Sequence, residues 1–126
     1  MESEGCVLVC VTGQKTCERL IVAGADRAEK YGLALSVLHV AKPGSGLLGN
    51  PDEGAALEYL YRIASENNAD MAVVRSADVT GAICKQAAKQ SAKVIVIGSS
   101  RRNDNFGFKE ALRLALPDIE VVELFG

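Results

Sequence analysis

Short apolar runs alternate with stretches of helical period along this chain, and that alternation narrows the fold more than any single motif does. Cys6 to Val11 (CVLVCV) is continuously apolar, as a strand buried on both faces should be. From Cys17 to Tyr31, Leu20, Ile21, Gly24, Ala25 and Ala28 recur at helical spacing, and Gly32 is placed to stop the helix. Leu33 to Val40 reads as a second strand. Lys42 to Gly49 is a loop by composition, and Asn50-Pro51-Asp52-Glu53 then reads as a helix start: Asn50 as cap, Pro51 at the first helical position, Glu53 at the capping-box position. Leu57, Leu60, Tyr61 and Ala64 form the predicted buried stripe of that helix, which ends near Asn67-Asn68. Met71 to Val74 is a third strand, Asp78 a cap for a third helix through Ile83, Ala87 and Gln90, and Lys93 to Ile97 a fourth strand. Phe108, Ala111, Leu112 and Ala115 mark a fourth helix stopped by Pro117. Ile119 to Phe125 is more charged, as an edge strand should be. The order β-α-β-α-β-α-β-α-β predicts an α/β fold: an open, parallel five-stranded sheet with right-handed crossovers and helices on both faces, in one domain spanning 1–126.

Composition removes several function classes. The 126 residues suffice for a core without staples. A net charge of −2 and a pI near 5.4 give no ground for expecting nucleic-acid or anionic-membrane binding. No apolar run approaches the ~20 residues of a membrane span, and MESEG lacks the basic-then-apolar pattern of a signal peptide, so a cytoplasmic location is expected. Cys6, Cys10, Cys17 and Cys84 show neither a C-x-x-C pair nor framework spacing, and His39 is the single histidine, so no metal site is expected. Cys6 and Cys10, four apart on a strand, should share one packed face. Cys17 lies near a predicted helix N-terminus, where a thiolate is favoured.

Two strand ends carry the candidate site. Val94-Ile95-Val96-Ile97 stops on Gly98 and opens into Ser99, Ser100, Arg101 and Arg102. Glycine permits close backbone approach, and the hydroxyls and guanidinium groups suit a phosphate; the same residues also suit a solvated loop. Thr12, Gly13 and Gln14 leave the first strand, where open α/β sheets bind ligands; the plainer reading is a turn with Thr16 as helix cap.

Other motifs fail on their frames. Gly44 to Gly49 spells G-x-G-x-x-G, but it follows the second strand and ends before the helix starts, so it reads as a connection rather than a dinucleotide fingerprint. Gly13-Gln14-Lys15-Thr16 lacks the leading glycine of a P-loop, because Cys10 stands there. A paired-acid phosphoacceptor site needs acids after the first strand, and Thr12-Gly13-Gln14 supplies none. His39 fits the core better than the crevice. No nucleophile–base–orienter set emerges, which argues against an enzyme.

Val7 to Val11, Glu18 to Ala25, Val37-Leu38-His39-Val40 and Val94 to Arg102 together resemble the universal stress protein family, most closely the universal-stress-type domain of Kdp-type potassium-responsive sensor histidine kinases. The resemblance covers nearly the whole chain. It implies strand order 3-2-1-4-5, frequent homodimers and, in some members, ATP or AMP binding. ATP-binding members carry an Asp at the end of the first strand and G-x-x-G-x9-G-[ST] after the fourth. Here Thr12 stands at the Asp, Gly98 matches the first glycine, Arg101 and Ala111 stand at the other two, and Leu112 at the Ser/Thr. Some Kdp-type domains take cyclic di-AMP through S-x-S and F-T-A-x-Y; Thr12-Gly13-Gln14 and Leu35 to His39 occupy those places, with only Thr12 and Ser36 conservative.

The expectation is a cytoplasmic regulatory or sensing domain binding a nucleotide or other phosphate-bearing small molecule. Its site residues are Thr12, Gly13, Gln14, Gly98, Ser99, Ser100, Arg101 and Arg102. ATP, AMP and cyclic di-AMP are the ligands in view, none of them required, and a homodimer or a sensor kinase is the context. The alternative is a non-enzymatic dimerisation or protein-interaction domain whose nucleotide site has degraded, part of or partner to a sensor kinase or transporter; a third, weaker reading is an enzyme of slow nucleotide hydrolysis, disfavoured by the missing Asp and metal ligands.

Overall fold

The computed structural model describes residues 5–11, 14–41, 43–44, 52–99 and 106–125. Five parallel strands, β1 (Cys6–Val11), β2 (Ala34–Ala41), β3 (Asp70–Arg75), β4 (Ala92–Ser99) and β5 (Glu120–Phe125), form one sheet in the order β3-β2-β1-β4-β5. Four helices connect them: α1 (Gln14–Tyr31), α2 (Glu53–Glu66), α3 (Val79–Gln90) and α4 (Phe106–Ala115). The predicted architecture and strand order are the observed ones, with β5 at one edge and β3 at the other.

The sheet is covered on both faces because β1 is apolar at every position. Val7, Val9 and Val11 pack under α1 and α2 with Leu20, Ile21, Leu60 and Ile63. Cys6, Leu8 and Cys10 turn the other way, against Ile83 of α3 and Leu112 of α4. Cys6 and Cys10 therefore share a packed face, as their spacing requires.

Local chemistry sets the helix ends. Gly32 takes a positive φ of 68°, and the amides of Gly32 and Leu33 donate to Glu29 O and Ala28 O, the paired bonds of a Schellman stop. Asp78 caps α3, its carboxylate accepting from the Gly81 amide at 3.0 Å.

Several boundaries differ from the sequence reading. Asp52, not Asn50, caps α2: its carboxylate accepts from the Ala55 amide at 3.1 Å. Glu53 is then the first helical residue and pairs with Arg75 at 2.7 Å instead of closing a capping box, while Asn50 and Pro51 lie outside the described residues. The α2 stripe is rotated by about one residue: Ala56, Leu60, Ile63 and Ala64 are buried, whereas Leu57 is 41% and Tyr61 63% exposed. In α4 Leu112 alone of the four expected positions is seen to be buried; Ala111 and Ala115 face outward, and the Phe108 side chain lies outside the described residues. Helix α1 begins at Gln14, so Thr16 is inside the helix and is not its cap.

Candidate functional site

The strand order reverses between β1 and β4. From β1 the chain moves through α1 to β2, and from β4 it moves through α4 to β5 on the opposite side. Crossovers that diverge in this way leave a crevice at the carboxyl ends of the two central strands, the usual ligand position in an open α/β sheet. Cys10 pairs with Ile97, so the last residue of β1, Val11, ends level with Gly98.

Of the predicted site residues, Gly98 and Ser99 are the last two of β4 and Gln14 is the first of α1. The side chains of Gln14 and Ser99, and all of Thr12, Gly13, Ser100, Arg101 and Arg102, lie outside the described residues. The described backbone thus brings Gln14, Gly98 and Ser99 to the carboxyl end of the two central strands. The first turn of α1 contains no acidic residue; Glu18 follows directly after it.

Gly98 is small for a packing reason as well as for access. A β-carbon there would lie 3.1 Å from Leu20 Cδ1 of α1, which is closer than ordinary van der Waals contact. Leu20 is itself buried in the core, so α1 is seated over the end of β4. One side of the crevice is therefore a helix fixed by Leu20.

Among the described residues, His39 is a buried polar group at this end of the sheet. It lies on β2 opposite Val11, is 3% exposed, and its Nδ1 is 2.9 Å from Val11 O. A carbonyl oxygen only accepts, so the ring proton in this bond is on Nδ1. The expected burial of His39 is observed, but its link to the end of β1 is not visible in the sequence.

The cysteines offer no reactive centre. Cys17, expected to gain thiolate character, is fully buried in the core under α1, and burial, with the Glu18 carboxylate adding to it, pushes its pKa up to about 11. Helix α1 starts earlier than predicted, so Cys17 turns inward and desolvation outweighs the dipole. Cys10 is pushed up to about 12 by burial. Among the described residues no cluster of three or more His, Cys, Asp and Glu could hold a metal ion. Ser36, placed against the cyclic di-AMP motif, is buried and donates its hydroxyl to Gln90 Oε1 at 3.0 Å.

Residues 6–108 match the model of the universal stress protein family. The chain belongs to that family. No curated protein sequence matches it at a significant level. Among solved structures, a universal stress protein from Archaeoglobus fulgidus is 20% identical, with a TM-score of 0.68, over 96% of this chain and 93% of that one. A universal stress protein in complex with cAMP is 14% identical, with a TM-score of 0.65, over 99% and 98%. A family member from Arabidopsis thaliana with AMP bound is 15% identical, with a TM-score of 0.57, over 96% and 91%. At these identities the likeness is one of fold, and it matches a universal stress protein along nearly its whole length.

Proposed function

We propose that this universal stress protein domain is a regulatory module that binds a nucleotide with one phosphate group in the β1–β4 crevice. The observation that carries this reading is the switch point, where Gly98 and the start of α1 meet at the ends of the two central strands. Backbone amides near Gly98 and the hydroxyls of Ser99 and Ser100 hold the phosphate, and Arg101 and Arg102 supply charge. Thr12, Gly13 and Gln14 meet the ribose or base. The AMP and cAMP complexes of fold relatives support a nucleotide of this size.

Leu112 argues against ATP binding of the usual kind. It stands at the Ser/Thr position of the ATP-binding pattern, yet it is fully buried well inside α4, against the sheet. The hydroxyl that ATP-binding members supply at that position is replaced by core packing. The domain senses the nucleotide without transforming it, in the cytoplasm, as a homodimer or within a sensor kinase of the Kdp type.

A thermal-shift titration against AMP, cAMP, ATP, cyclic di-AMP and inorganic phosphate tests this. A ligand at a hundred times its dissociation constant adds about 2.7 kcal/mol of stability. AMP or cAMP should raise the melting temperature more than ATP or cyclic di-AMP, and the rise should vanish in Arg101→Ala/Arg102→Ala. A flat response across the panel overturns the reading in favour of a protein-interaction domain with a degraded site.

A further inference from the structure

We propose that two copies of this chain join through the outer edge of β3 and the flank of α2 beside it, as an antiparallel two-fold dimer. The inference goes beyond nucleotide binding and does not depend on it. Strand β3 ends the sheet and, among the described residues, pairs with β2 alone. Between Asp70 and Arg75 it reads Met-Ala-Val-Val, with neither a charge nor a proline to blunt the edge, and all four residues are only partly buried. The other edge strand, β5, is guarded. It carries Glu120 and Glu123 and no cation, so two copies joined there would bring four carboxylates together.

Helix α2 adds an apolar stripe beside that edge. It packs against α1 and β3. Tyr59 marks the flank towards α1: its pKa is raised by burial and, next, by Cys17 and Glu18 of that helix. Residues two apart on a helix point to nearly opposite sides, so Leu57 and Tyr61 lie on the outward flank, where both are exposed. Glu53, one turn before Leu57, reaches Arg75 at the end of β3 from the same flank. That ion pair ties the two elements at one level. From Arg75 back to Ala72 is about 10 Å of strand, and from Glu53 on to Tyr59 is about 9 Å of helix. A two-fold axis through Ala72 therefore passes level with Tyr59, midway between Leu57 and Tyr61. Across that axis Met71 of one copy stands opposite Val73 of the other, and Leu57 of each copy stands beside Tyr61 of the other. Each end of the joined edge carries Asp70 of one copy and Arg75 of the other, opposite charges rather than like ones. The surface is complementary to itself, and a second copy is its occupant.

Sedimentation equilibrium of the purified protein tests this. Wild type at about 100 μM should sediment as a dimer of 13.3 kDa chains. Leu57→Lys/Tyr61→Lys gathers four ammonium groups around the axis and should weaken the dimer by about a hundredfold. Leu114→Lys, at an exposed leucine of α4, should leave it unchanged. Hydrogen exchange above and below the dimer midpoint locates the interface without any variant: the β3 amides should gain protection on association. A monomeric wild type overturns the proposal, as does a dimer kept by the folded lysine double variant, or protection gained in β5 instead of β3. If the double variant does not fold, the exchange result alone decides. None of these measurements uses a nucleotide, so the nucleotide reading stands or falls separately.

Discussion

Gly24 of α1 lies directly against Val9 of β1, so close that a β-carbon at position 24 would overlap Val9 Cγ2. The same added carbon would lie 3.3 Å from Leu35 Cδ1, so there is little slack on the other side. The absence of one methyl group sets how near the helix sits to the sheet and hence where its N-terminus meets the crevice.

Gly24→Ala should therefore destabilise the fold by about 1–3 kcal/mol through overpacking. In an open helix interior the same change stabilises by about 1 kcal/mol, so the sign is diagnostic. Urea unfolding of the purified variant gives the answer, and a gain in stability would show that α1 can move off Val9 without cost.

Gly98→Val should destabilise by a similar ~1–3 kcal/mol, even though valine favours strands. Its first side-chain carbon would lie 3.1 Å from Leu20 Cδ1, and Leu20 is buried. The branched side chain should also block AMP, so binding is expected to fall further than stability. Calorimetry on the folded variant separates the two effects; retained affinity would place the ligand away from β4.

Alkaline pH should weaken the fold through its buried thiols. Burial raises Cys10 from the ordinary 9.0 to about 12 and Cys17 to about 11, so the folded chain holds protons that the unfolded chain releases above pH 9. Stability from this source is complete below pH 9 and is lost as pH rises through 11 to 12. Thiol reagents at pH 8 should accordingly label Cys10 and Cys17 only at the rate of unfolding. Fast labelling of either in the native protein would contradict its burial.

The sequence made the architecture legible because period and punctuation agreed. The unbroken apolar run from Cys6 to Val11 demanded a doubly covered strand, and Asp78 and Gly32 stood where a cap and a stop were needed. The start of α2 was harder, because Asn50 and Asp52 are both capable caps and only the three-dimensional course of the chain chooses Asp52. Leu57 and Tyr61 match the helical period as well as Ala56 and Ile63 do; which stripe is buried depends on the sheet beneath. At the site, Gly98 was legible as a break after an apolar strand. The bond from His39 to Val11 O was not, since it depends on the β1–β2 register, which fixes that His39 and not a neighbour lies opposite Val11.

The centre of the sheet also sets a problem of timing. Strand β1 has β2 on one side, close behind it in the chain, but β4 on the other, beyond α1, β2, α2, β3 and α3. A ribosome would deliver that second partner late, and until then one edge of an all-apolar strand, without a charge or a proline, stays open to pairing with another copy. Yield during synthesis should consequently depend on how quickly β4 arrives or how well a chaperone shields that edge. Slowed translation between β3 and β4 would aggregate this protein without altering a single native contact.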